Sequence, residues 1–446
     1  MKMAKKAGTL ACVLAVGLTT LMTGCATKGA EQQAQPQSSG NSSTQTSAQP
    51  ASTEPVKLDF WYAVGGAKGK KIEEMVKKFN ESHPGIVVKA AYQGSYAENH
   101  SKVLAAVAAG NQPDITMVEI ASIGAFADAK VLTDLGPYSQ GEESKYIDGL
   151  MKNSYWKDKL YAVPFNRSTP IMYVNQDMLK AAGLNPEGPK SWDELKSFSS
   201  ALAKKEGGKN VRYGFSTPVD IWFYEASVFE SGGTILSEDG KQVTLDNEAG
   251  KAPIALWSKM VKDGSMKNPP GEGYDSWDVA EQDFLNQKVG LIYSTTGSLG
   301  ELGKNAKFKM GTAFLPANKN FGVPTGGANL VILAKSTDEE KKASWEFLKW
   351  MTDTPQTVDW SIASGYMPVT KEAVDSSEMK AFYDKNPNFK VAVDQLQYGY
   401  ARPMVPGYKE LQDVIQKEVQ RAMLGQSTPD EAMKAITEKG EKLLKK

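Results

Sequence analysis

The chain has 446 residues, with 52 basic and 52 acidic side chains, two histidines and two cysteines. Balanced charge gives no field to draw in nucleic acid or an anionic lipid surface. Both cysteines, Cys12 and Cys25, lie at the N-terminal end, and His83 and His100 have no paired spacing. A disulfide, a zinc site and a Cys- or His-dependent nucleophile are therefore not expected in the rest of the chain.

Lys2, Lys5 and Lys6 precede an uncharged apolar run over residues 7–22, followed by Thr23, Gly24 and Cys25. The run is short for a membrane span of about 20 residues, and its layout is that of a signal peptide. Small residues directly before a cysteine resemble the site read by lipoprotein signal peptidase, with Met22 where Leu is usual. Residues 1–24 are expected to be removed and Cys25 to become a lipidated N-terminus on the cell membrane. Processing takes away three lysines and no acid, leaving an excess of three negative charges. Residues 26–55 are rich in Gln, Ser, Thr, Ala and Pro and bury too little to repay ordering, so they read as a tether.

Residues 56–446 are too many for one ordinary core and imply two lobes. Leu58 to Tyr62 reads as a strand, followed by helical spacing at Ile72, Met75, Val76 and Phe79. A second strand over 86–92, a helix marked by Val103, Leu104 and Val107, a third strand over 114–118 and a helix near 121–129 continue the alternation. Such βα units predict an open, mostly parallel sheet flanked by helices. Farther on, Ser191 and Glu194 mark the start of a helix over 192–203. Residues 237–241 read as a hairpin turn, residues 345–351 as an apolar helix, and residues 410–445 as helices interrupted near Gly425.

Ligands of open α/β sheets lie beyond the carboxyl ends of the strands. Tyr62, Gly94, Tyr96 and Glu119 occupy those ends, a set suited to a hydroxyl-rich ligand, with rings for C–H faces and a carboxylate for hydroxyl donors. The segment from Gly65 to Lys71 lacks the first glycine and the final Ser/Thr of a phosphate loop and reads as a flexible loop leading into a helix. No local nucleophile or metal motif is present, and no cofactor is implied. Spacing alone leaves open a glycosidase carboxylate pair among the acidic residues, a secreted hydrolase being the rival reading.

In order along the chain stand Phe60-Trp61, Tyr92-x-Gly94-x-Tyr96-x-x-Asn99, Gly110-Asn111-x-Pro113, Val118-Glu119, Pro164-Phe165-Asn166-x-Ser168-Thr169-Pro170, Gly297-Ser298-Leu299, Gly326-Gly327-Ala328, Gly365-Tyr366-Met367-Pro368 and Phe382-Tyr383-x-Lys385-Asn386-Pro387. Together they resemble the extracellular solute-binding proteins of family 1 of ABC importers, and among them the glycerol-3-phosphate binders. The resemblance implies a two-lobed periplasmic-binding-protein-like fold of type II with several hinge crossings. It also implies a monomer that takes a small hydrophilic ligand to a membrane permease and catalyses nothing. The implied lobes are 56–165 with 327–375, and 166–326 with 376–446; crossings are implied at 164–170, at 325–327 and after Tyr366.

By the same resemblance Tyr96 and Glu119 face glycerol hydroxyls, Ser168, Gly327 and Tyr366 face phosphate, and Thr295 stands where the family has a second serine. The family's phosphate-binding arginine falls on Gln412 and a nearby arginine on Met404. Arg167 and Arg402, in adjoining segments, are the candidates to supply the missing charge; without them a neutral sugar or polyol is the alternative ligand. Trp222, after a turn, is expected to line the cleft from the second lobe. Because diacylation needs a thiol, Cys25→Ala should abolish incorporation of labelled fatty acid; persistent labelling would contradict the anchor.

Overall fold

A computed structural model describes residues 54–445 apart from 271–273. The expected signal peptide, Cys25 and nearly all of the tether lie outside the described residues. Two five-stranded paths, each covered by helices, form two lobes. The strands that build them are β1 (Val56–Tyr62), β2 (Ile86–Tyr92), β3 (Ile115–Glu119), β4 (Val163–Ser168), β5 (Pro170–Asn175), β6 (Lys209–Ser216), β7 (Met266–Lys267), β8 (Val289–Thr295), β9 (Met310–Ala313) and β10 (Gly326–Ile332).

The first sheet has the order β2-β1-β3-β10-β4, and the second β7-β6-β8-β5-β9. Each is mostly parallel, as expected, with four strands running one way and a single reversed strand, β10 in the first and β5 in the second. β1 runs parallel to β2 and β3, but β10 is antiparallel to both β3 and β4. In the second sheet β6 is parallel to β7 and β8, while β5 is antiparallel to β8 and β9. The reason is topological: β10 enters from the second lobe and β5 from the first, so neither is delivered by a βα crossover that would align it with its neighbours.

Each lobe has its own core. In the first, Phe60, Phe79 and Phe347 meet edge to face, with ring centroids 5.4 Å (Phe60–Phe347) and 5.0 Å (Phe79–Phe347) apart. Phe60 comes from β1, Phe79 from the helix Gly66–Ser82, and Phe347 from the helix Asp338–Thr352, which Thr337 and Glu340 start with a capping box. The second core gathers Trp192, Leu195, Phe215, Phe223, Tyr224 and Trp257 with Leu411, Ile415, Met433 and Ile436 of the last two helices. Those helices, Tyr408–Met423 and Pro429–Leu444, are separated by a turn in which Gly425 has φ +71°.

The chain passes from β4 to β5 with only Thr169 between them, and returns through Val323 and Pro324 into β10. The two passages touch: Ser168 lies opposite Gly326, and Gly327 opposite Arg167. Phe347→Ala should remove the aromatic contact between two layers of the first lobe and cost about 3–5 kcal/mol. A lower urea midpoint at unchanged m would show it; an unchanged midpoint would contradict the placement of this core.

Candidate functional site

The facing ends of the two sheets hold most of the residues singled out from the sequence. Tyr96 opens the helix Tyr96–Ala109, whose start is fixed by a capping box between Ser95 and Glu98. Its hydroxyl lies 3.4 Å from that of Tyr366 and accepts from Asn166 Nδ2 at 3.2 Å. Tyr366 stacks on Trp360, with centroids 5.9 Å apart and planes 9° off parallel. Asn166 is wholly buried in β4, and its Oδ1 has no partner among the described residues. A buried acceptor without a donor is costly, which marks this atom out within the cluster.

Ser168 ends β4 and is 2% exposed. Gly327, opposite Arg167, has φ +93°, and a Cβ there would stand 1.6 Å from Asn166 O. Only glycine lets β10 approach β4 this closely. Thr295 ends β8, and its Oγ1 accepts from Gly297 N at 3.1 Å, which turns the chain toward Tyr366. Gly297 lies against that ring: a Cβ would be 2.9 Å from Tyr366 Cζ.

Arg167 does not face the ligand space, contrary to expectation. Wholly buried, it donates from Nε to Gly326 O (3.1 Å), from Nη1 to Leu150 O (2.8 Å) and Asn329 Oδ1 (3.2 Å), and from Nη2 to Thr325 Oγ1 (3.0 Å). Burial depresses its pKa, and no carboxylate pairs with it among the described residues. Four neutral acceptors saturate most of its five donors. It ties the two passages together, its guanidinium turned into the protein and four of its five donors already spent.

Arg402 is also committed. Nε donates to Glu225 Oε2 at 2.7 Å, Nη2 to Glu225 Oε1 at 3.2 Å, and Nη1 makes a short bond to Glu119. Tyr408 donates a further short bond to Glu225. Glu119 ends β3 of the first lobe and Glu225 stands on the helix Ile221–Glu230 of the second, so one guanidinium bridges both lobes. Burial lowers the Arg402 pKa, but Glu225 and Glu119 more than offset it; burial raises Glu225 in spite of Arg402. Two carboxylates for one cation leave no positive charge over.

Trp222 is 6% exposed, stacked near Trp277 and pressed on the return passage: its Nε1 donates to Thr325 O at 3.4 Å, and a Cβ on Gly326 would lie 2.3 Å from Cζ2. It packs one residue from Gly327 with its ring against backbone. Tyr62 turns away from the crevice, donating from its hydroxyl to Glu73 at 2.8 Å, and burial raises its pKa. Gln412 is 2% exposed; its Nε2 has no partner among the described residues, and its Oε1 accepts from Lys409 at 3.4 Å.

Two residues were not singled out by sequence reasoning. Asn166 stood in the motif without a role. Lys68 lay in the segment read as a flexible loop, whereas the helix already begins at Gly66. Its ammonium crosses the cleft, donating to Gly297 O at 3.1 Å and standing 5.8 Å from the Tyr366 ring centroid. Among the described residues no group of three or more His, Cys, Asp or Glu is placed to hold a metal.

The family model described as bacterial extracellular solute-binding protein matches residues 74–391, most of the chain. The chain is a bacterial extracellular solute-binding protein. As such it is extracytoplasmic and serves an ABC importer. This solute-binding protein is 26% identical over 427 residues to the sn-glycerol-3-phosphate-binding periplasmic protein UgpB of Escherichia coli strain K12, covering 90% of this chain and 94% of that one. The same figures hold for UgpB of Shigella flexneri serotype 5b. Among solved structures, UgpB from Mycobacterium tuberculosis in complex with glycerophosphocholine is 25% identical, with a TM-score of 0.78 over 88% of this chain and 99% of that one. The GacH receptor of Streptomyces glaucescens, at 23% identity, has a TM-score of 0.80 over 88% of this chain and 99% of that one, a likeness of fold. These likenesses show the two-lobed type II periplasmic-binding-protein architecture, and the relatives are binding proteins.

Arg402→Met should leave Glu225 buried without its cation and cost about 3–5 kcal/mol. Glu225 would then sit still higher in pKa than in the native protein, where burial already raises it. A raised folded-state pKa adds stability below the unfolded value that is lost as pH rises, so the deficit should shrink on acidification. Urea melts at several pH values measure this; a deficit independent of pH would refute it.

Proposed function

We propose that the cleft closes on a phosphorylated glycerol, glycerol 3-phosphate or a glycerophosphodiester, and hands it to the permease. One observation carries the reading. Asn166, whose Nδ2 donates to Tyr96 and whose buried Oδ1 has no partner among the described residues, joins the Tyr96 and Tyr366 hydroxyls to the strand ends that carry Ser168 and Gly327. An acceptor suits polyol hydroxyls, while hydroxyls and backbone N–H groups suit phosphate oxygens. The names of the UgpB relatives support the same ligand class. The protein acts as a monomer held to the membrane through lipid on Cys25, its lobes shifting from open to closed as ligand bridges them. Binding alone accounts for the site, and ligand leaves it unchanged.

A neutral sugar or oligosaccharide is the second reading, and Gln412 favours it. A neutral amide stands where the resemblance expects a phosphate-binding arginine, and its buried Nε2 has no acceptor among the described residues. Thermal denaturation with glycerol 3-phosphate, glycerophosphocholine and maltose decides between them, since a ligand at about 100 times its Kd stabilises the native state by about 2.7 kcal/mol. Phosphorylated glycerols should raise the Tm and be recovered intact. A shift with maltose alone would establish the sugar reading, and ligand hydrolysis would refute pure binding.

A further inference from the structure

A phosphate enclosed by two lobes loses its water and stays only where a cation or several strong donors replace it. Resting on the reading that the ligand carries a phosphate, we propose that Lys68 is the cation that recognises it, a role closed to Gln412, Arg167 and Arg402.

The position of Lys68 is poor for stability and good for an anion. It lies in the first turn of the helix Gly66–Ser82, where the helix dipole favours acidic side chains and disfavours cations, and that turn contains no acid. Farther along the same helix Lys71 and Lys78 are both paired with Glu74 and Asp359. Lys68 has no carboxylate within ion-pair distance among the described residues; it meets a backbone carbonyl and an aromatic face. An ammonium has three donors, so the carbonyl leaves two to give.

Its surroundings fit as well. Gly297 belongs to the second lobe and Lys68 to the first, so the ammonium spans the cleft where Tyr366 and Tyr96 meet. A carbonyl oxygen and a ring face hold a cation exchangeably. A phosphate oxygen replaces them with charge-assisted bonds about twice as strong as neutral ones. The carboxyl within range of the Lys68 charge is Glu281, which accepts from Ser294 and from Ser298 (2.7 Å). Burial raises its pKa toward the neutral form, which limits its repulsion of an anion.

Calorimetric titration of the full chain with glycerol 3-phosphate and glycerophosphocholine, at low and high salt, tests the assignment in Lys68→Met and Lys68→Arg. Lys68→Met should weaken both ligands by about tenfold or more and flatten the salt dependence, while Lys68→Arg keeps both near wild type. The Tm of unliganded Lys68→Met should be unchanged within a few degrees. Wild-type affinity and salt dependence in Lys68→Met would overturn the role of Lys68 alone. Loss in both variants with the salt slope intact would make Lys68 a geometric latch and also overturn it. A wild-type chain that binds neither phosphorylated glycerol would refute the ligand reading itself, and the Lys68 role with it.

Discussion

A cation buried without a counter-ion organises the centre of this protein. Arg167 sits in β4 with four neutral acceptors around its guanidinium, drawn from the outgoing strand's neighbourhood and from the returning one: Leu150, Thr325, Gly326 and Asn329. Each bond is stronger for being charge-assisted, and each would be expensive to lose in so dry a place. The consequence is positional. Ser168 follows Arg167 in the chain, Asn166 precedes it and Gly327 pairs with it, so the residues at the cleft floor inherit their places from a side chain that points away from the cleft.

The charges nearer the cleft are arranged in two groups. Toward β3, Arg402 is shared by Glu119 and Glu225, a set with more negative than positive charge and with one carboxylate on each lobe. Toward β8, Lys68 stands over Tyr366 and against Gly297. The neutral Gln412 belongs to the helix Tyr408–Met423, which also supplies Tyr408 to the Glu225 cluster. An arginine at 412 would add a second cation to that neighbourhood, where the charge on Arg402 is already answered.

Much of this was legible in the sequence, and the failures have physical causes. Alternation of β and α in the first 130 residues showed the architecture, because half-buried strands and amphipathic helices leave distinct periods. Tyr96 and Tyr366, far apart in the chain, were singled out by motif and do meet. Strand direction at the passages was not legible, since whether a strand is delivered by a crossover or from the other lobe is a property of the path. Arg167 and Arg402 were named for their charge, but charge does not say which way a side chain points. One of them satisfies neutral backbone and side-chain oxygens and the other satisfies carboxylates. Lys68 was hidden by its glycines: Gly65, Gly66 and Gly69 suggest a loop, yet a helix tolerates them at its first turn.

The single residue between β4 and β5 has a mechanical meaning. Thr169 is wholly buried; its Oγ1 accepts from Gln395 Nε2 at 3.2 Å, and its N–H donates to Thr296 Oγ1 at 3.4 Å. Pro170 follows with its φ fixed and no N–H to lend. Such a joint has no slack: any change in the angle between the two sheets must be taken up at this one residue and at the return passage beside Gly327, next to the floor and far from the outer rims.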